Sequence, residues 1–110
     1  MTQDFPDDAT GDVLRRMQAR GDDLGKPRDI DFSIMFPDEA SVTVFAGRIE
    51  QHFHTVRYHE TDEPGQKEWD VTATRLMLPS YDEIVEMETL LQREAEPFGG
   101  YIDGWGCFSA

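Results

Sequence analysis

The sequence predicts an α+β fold: a ferredoxin-like sandwich in which a four-stranded antiparallel sheet of βαββαβ order carries two helices on one face, with an extra helix in front. Three observations predict it. Apolar and polar residues alternate from Ile30 to Phe36 and again from Trp69 to Thr74, the period of strands buried on one side. Val42, Phe45, Ala46, Ile49 and Phe53, and later Ile84, Met87, Leu91 and Ala95, recur at helical spacing. Ser80 and Glu83 form a capping box, the clearest helix start in the chain.

In chain order, residues 1–9 hold Asp4, Pro6, Asp7 and Asp8 with few apolar groups, and they read as a mobile acidic leader. Residues 10–110 read as one domain. Thr10 is positioned to cap a first helix with apolar Val13, Leu14 and Met17, ending at Gly21. Arg15, Arg16 and Arg20, beside Asp12, Asp22 and Asp23, read as an exposed salt-bridged face. Pro37, Asp38 and Glu39 open the second helix, with acid where the helix dipole favours it. A short strand follows at about residues 55–59, and the polar run from Glu60 to Gly65 has hairpin character. Pro97 and the pair Gly99-Gly100 end the last helix, and Tyr101 to Phe108 form a glycine-rich closing strand.

Charge narrows the function. Ten Lys and Arg stand against 23 Asp and Glu, a net of −13. Affinity for nucleic acids and anionic membranes comes largely from neutralising phosphates, so neither is an expected partner. No apolar run reaches the ~20 residues of a membrane span, no targeting segment is recognised, and one cysteine fits a reducing cytoplasm.

If the apolar side of each strand meets the helices, Phe32, Ile34, Val56, Tyr58, Trp69, Val71, Ala73 and Ile102 face inward. The open face then shows Asp31, Ser33, Thr55, Arg57, His59, Asp70, Thr72, Thr74, Tyr101, Asp103 and Trp105. RNA-binding sheets stack bases on aromatic rings of their middle strands. Here those strands offer carboxylates and hydroxyls instead.

Catalytic signals are missing. His52, His54 and His59 have no thiolate in matching spacing, so neither a metal nor an organic cofactor is expected. Cys107 has no histidine beside it in sequence and reads as a packing residue. No phosphate-binding loop, dinucleotide fingerprint or nucleophile elbow occurs, and the chain reads as a non-enzyme. The most unusual segment is Asp103-Gly104-Trp105-Gly106. Two uses fit it: the glycines permit a bulge or close packing, or they leave the ring uncrowded as an anchor for a partner.

That tetrad, after Gly99-Gly100, resembles the closing motif of the regulator of ribonuclease activity B family. Gly21-Asp22-Asp23-Leu24 before Pro27-Arg28, Phe36-Pro37-Asp38-Glu39, and Trp69-Asp70-Val71-Thr72 running on to Met77 and Pro79 are similar to that family too. The resemblance spans about Val13 to Phe108. It implies a ferredoxin-like fold and a cytoplasmic, non-enzymatic regulator that binds an RNase E-type endoribonuclease, whose scaffold half is arginine-rich, through protein contact. The family's founders carry a long acidic tail after the tryptophan motif, whereas this sequence ends at Ala110. Asp31, Asp70, Tyr101, Asp103, Gly104, Trp105 and Gly106 are the expected protein-binding residues. The competing readings are an interaction domain of the same family with another protein or a small ligand, and a small enzyme using Cys107 or the histidines.

Overall fold

The structure, a computed structural model, describes residues 8–22, 24–61 and 68–107. Seven regular elements follow in order: α1 (Ala9–Ala19), β1 (Arg28–Phe36), α2 (Glu39–Ile49), β2 (Thr55–Glu60), β3 (Trp69–Met77), α3 (Tyr81–Ala95) and β4 (Tyr101–Cys107). Single 3-10 turns, Glu50–His52 and Glu96–Phe98, extend α2 and α3. Residues 1–7 of the expected leader, most of the turn after Glu60, and Phe108 lie outside the described residues.

Side-chain caps start all three α-helices. Ser80 caps α3 by accepting from the Glu83 amide, and its hydroxyl donates to the Glu83 carboxylate at 3.0 Å, while its own backbone N–H donates to the Leu78 carbonyl instead of completing the reciprocal arm of a capping box. Asp38 accepts from the Ser41 amide and opens α2. For α1 the cap is Asp8, which accepts from the Gly11 amide, and not Thr10. Thr10 is 6% exposed and its hydroxyl donates across to Glu88 of α3, so tertiary contact takes the oxygen that a local cap would use. Asp8 and Ala9, expected in the leader, are thus the cap and first residue of α1. Phe53 was expected on the α2 stripe. It follows the 3-10 turn instead and packs edge-on against Phe32, with ring centroids 6.0 Å apart.

The sheet order is β2-β3-β1-β4 and every neighbouring pair is antiparallel. Directly opposed residues of such pairs share a face. Ile34 opposes Val71, Phe32 opposes Ala73, and all four are fully buried. They join Leu14 and Met17 of α1, Val42, Phe45 and Ile49 of α2, and Ile84, Leu91 and Ala95 of α3 in one cluster. All three helices therefore cover the same side. Val56, Trp69 and Ile102 pack at its margin, as expected. Tyr58 differs: it opposes Val71 but lies on the edge strand β2, and it is 44% exposed with its ring against Trp69. β3 also runs on past Thr74 to Met77, which opposes Arg28.

Two glycines shape the entry into β4. Gly99 takes a φ of 75°, the left-handed conformation that ends the 3-10 turn. Gly100 is needed for space, since a Cβ there would sit 2.4 Å from Phe36 Cε1. Phe36 is 1% exposed and packed on Phe45 with centroids 4.7 Å apart, so its ring has nowhere to go. Gly100→Ala should destabilise the protein by about 2 kcal/mol in urea denaturation. A loss indistinguishable from zero would show that the Phe36 pocket yields.

One irregularity decides the face of the tryptophan motif. Ser33 pairs with Gly104, yet the next residue, Ile34, pairs with Ile102, leaving Asp103 as the extra residue of a bulge. Beyond the bulge Trp105 opposes Phe32 and Cys107 opposes Ile30, both on the helix side. The expectation that Trp105 shares the open face with Tyr101 and Asp103 is corrected on this point. The physical reason is the inserted residue, which inverts the alternation after it.

Candidate protein-binding surface and the tryptophan motif

On the open side, β1 and β3 present Asp31, Ser33, Asp70, Thr72 and Thr74. Hydroxyls hold the two carboxylates in place: Thr74 donates to Asp31 at 2.5 Å, and Ser33 donates diagonally to Asp70 at 2.9 Å. These are charge-assisted bonds between neighbouring strands, and they fix two negative charges on the face that no described helix covers. His59 opposes Asp70 and Arg57 opposes Thr72 along β2, both exposed.

Next to this acid, β4 is an edge strand. Tyr101 begins it, 46% exposed and opposite Met35. Its hydroxyl donates to Glu68 at a long 3.4 Å. Gly104 and Gly106 oppose Ser33 and Asp31, and nothing lies within 4 Å of where a Cβ would stand at either. The open face here is bare backbone beside carboxylates, with Asp103 exposed at the bulge. Six of the seven expected binding residues, namely Asp31, Asp70, Tyr101, Asp103, Gly104 and Gly106, thus gather along β1, β3 and β4. Trp105 does not join them.

Trp105 instead holds α1. Its ring packs against the core, and its indole N–H donates to the Thr10 hydroxyl at 3.3 Å. Thr10 passes the chain on, donating to Glu88 Oε1 at 2.8 Å. A second polar tie lies alongside, where the Tyr81 hydroxyl donates to Asp8. Tyr81 and the Gly11 amide hold the Asp8 carboxyl below its ordinary value. Burial pushes the Glu88 carboxyl up, the Thr10 hydroxyl opposing and the Asp8 charge adding. The folded chain therefore binds a proton at Glu88 more tightly than the unfolded chain. Its ionisation penalty bears fully at neutral pH and is relieved as pH falls through the raised value.

The remaining candidates stay apart. The Cys107 thiol, partly buried on the helix side, is pushed up chiefly by burial, against the pull of the Arg28 charge. His52 lies in the 3-10 turn after α2, His54 sits 3.7 Å from Asp29, and His59 is exposed on β2. Among the described residues no three His, Cys, Asp or Glu side chains gather as a metal set would. No described helix is long and apolar enough to cross a membrane.

Sequence reasoning missed the ion pair between Arg28 and Asp22. Arg28 Nη1 meets both Asp22 oxygens at 2.8 Å, and the side chains are only 7% and 2% exposed. A signal was present, because Gly21-Asp22-Asp23 precedes Pro27-Arg28 by a span short enough for a turn to close on itself. Of the arginine cluster in α1, Arg15 pairs with Asp12, while Arg16 and Arg20 donate to carbonyls of their own helix.

Fold and surface define an α+β domain with one helix-covered face and one open, acidic face bordered by a bare edge strand. The chain belongs to the regulator of ribonuclease activity B family, whose model matches residues 7–107. That is a family of regulators rather than of enzymes. No curated protein matches the chain.

Proposed function

We propose that this protein restrains a ribonuclease by protein contact, binding a basic segment of an RNase E-type endoribonuclease on its open sheet face. The observation that carries this is the fixed pair Asp31 and Asp70 beside the bare β4 edge, in a chain of net charge −13. Family membership supplies the regulatory role. Opposite charge steers and orients such an encounter. Among the described residues the middle strands β1 and β3 offer this face no aromatic ring of the kind single-stranded RNA stacks on, which supports a role without direct nucleic-acid contact. The site is cytoplasmic in this reading, and catalysis has no part in it. The architecture behind it is the ferredoxin-like sandwich. In support, α2 carries the chain from β1 past β3 to β2, and α3 carries it from β3 past β1 to β4.

The test is binding of an arginine-rich peptide from such a nuclease to the protein and to Asp31→Asn/Asp70→Asn. Asparagine keeps the acceptor for Thr74 and Ser33 while removing charge. The double variant should bind about tenfold more weakly, two partly exposed pairs contributing up to about 0.7 kcal/mol each. Association should also slow with salt, as the Debye length falls from about 10 Å at 0.1 M to about 3 Å at 1 M. Equal affinity for both proteins would move the interface elsewhere. Tight binding of an RNA oligomer at physiological salt would overturn the protein-contact reading.

A further inference from the structure

A groove of about 520 Å³ opens on the helix side between the 3-10 turn after α2, the end of β3 and α3. Its walls include His52, Arg75, Glu86, Met87, Leu90 and Arg93. Among the described residues Arg15, Arg28 and Arg48 pair with Asp12, Asp22 and Glu94. Arg16 and Arg20 turn to carbonyls of their own helix, and Arg57, exposed on strand β2, pairs with no carboxylate among them. The two guanidinium groups of this groove also lack a carboxylate, and they differ from these in lining one cavity together. Arg75 gives one N–H to the His52 carbonyl at 2.7 Å, which leaves four donors without a protein acceptor among the described residues. The Arg93 side chain has neither a hydrogen bond nor an ion pair among them. Glu86 lines the groove without pairing to either, and the neighbouring Arg48 is already neutralised by Glu94 at 2.7 Å.

From this we infer that the groove binds a small organic oxyanion, a carboxylate or phosphate monoester. Its charged end lies between Arg75 and Arg93 and its apolar part lies against Met87 and Leu90. Planar guanidinium forks match both kinds of oxyanion, and the volume lies within the ~300–1,000 Å³ of small-molecule sites. The groove belongs to the opposite side of the sheet from the proposed partner surface, so this site stands or falls independently of it.

The experiment is a titration followed by amide chemical shifts, using inorganic phosphate, phenyl phosphate and benzoate as separate probes. Saturable shifts are expected at Phe53, Leu90 and Arg93, with half-saturation near about 1 mM for the best probe. Phenyl phosphate should exceed inorganic phosphate if the apolar wall takes part, and benzoate decides whether a carboxylate suffices. Arg75→Gln and Arg93→Gln should each weaken binding about tenfold, the worth of one charge-assisted bond. Arg93 is exposed and its side chain makes no hydrogen bond or ion pair among the described residues, so its variant folds even if the Arg75 variant does not. Arg57→Gln, on the open face, should change nothing. Shifts that stay linear with all three probes, or an Arg57→Gln loss equal to that of Arg93→Gln, would overturn the site.

Discussion

Trp105→Ala is expected to lower the free energy of unfolding by about 3 kcal/mol, with affinity for a partner unchanged in the fraction that stays folded. The ring stands opposite Phe32 on the helix side and packs against the buried cluster, so its removal leaves a cavity that α1 and α3 cannot close without moving. The change also strips Thr10 of the indole N–H at 3.3 Å, loosening the polar chain that runs to Glu88. Trp105→Phe separates the two losses. It keeps most of the packing, forfeits one hydrogen bond, and should cost about 1 kcal/mol. Urea denaturation gives both values, and faster amide exchange in α1 should accompany the alanine variant. A melt like that of the unaltered protein together with a weakened binding isotherm would return the ring to the interface.

This expectation reverses the simplest reading of the motif, and the reversal shows where a sequence loses information. Alternation assigns each strand residue to one of two faces, and a single inserted residue inverts every assignment beyond it. Asp103 is that residue. A trace was visible: Ile102 and Trp105 are both large and apolar, yet three apart, a spacing no regular strand places on one face. The intervening Gly104, φ 158°, sits where the bulge absorbs the mismatch. The motif Asp103-Gly104-Trp105-Gly106 thus serves both sides of the sheet. Its aspartate and glycines shape the open edge, and its tryptophan secures the extra helix.

The rest of the fold was written more plainly. Ile30, Phe32, Ile34 and Phe36 alternate along a central strand with neighbours on both sides, and all are buried. Tyr58 carries the same alternation on an edge strand, and there it stays 44% exposed. The α1 cap illustrates another limit. Asp8 and Thr10 are both good capping residues two positions apart. The choice rests on Glu88, 78 positions later, which takes the Thr10 hydroxyl. The open-face acids were legible because their side needs only the parity of β1 and β3, whereas their hydroxyl partners depended on the register between those strands.

The second large effect lies at the pair that joins the end of α1 to the start of β1. Asp22→Ala should destabilise the protein by about 3–5 kcal/mol, because it takes from the buried Arg28 guanidinium the carboxylate whose two oxygens meet Nη1 at 2.8 Å. Arg28 also reaches the Lys26 carbonyl, at 3.3 Å from Nη2, but a carbonyl does not replace a carboxylate. A loss below about 1 kcal/mol, the worth of an exposed pair, would mean that the arginine escapes to water. The double replacement Asp22→Leu/Arg28→Met distinguishes the worth of the pair from the cost of breaking it. With both charges gone and the volume kept, stability should return close to that of the original protein. Cys107 reports on the same site chemically. Burial raises its thiol most, Asp22 adds to the rise and Arg28 opposes it. Removing Asp22 therefore favours the thiolate, and under conditions where the variant stays folded Cys107 should alkylate faster at neutral pH than in the original protein. An unchanged rate in a folded Asp22→Ala variant would show that the guanidinium has turned away from the sulfur.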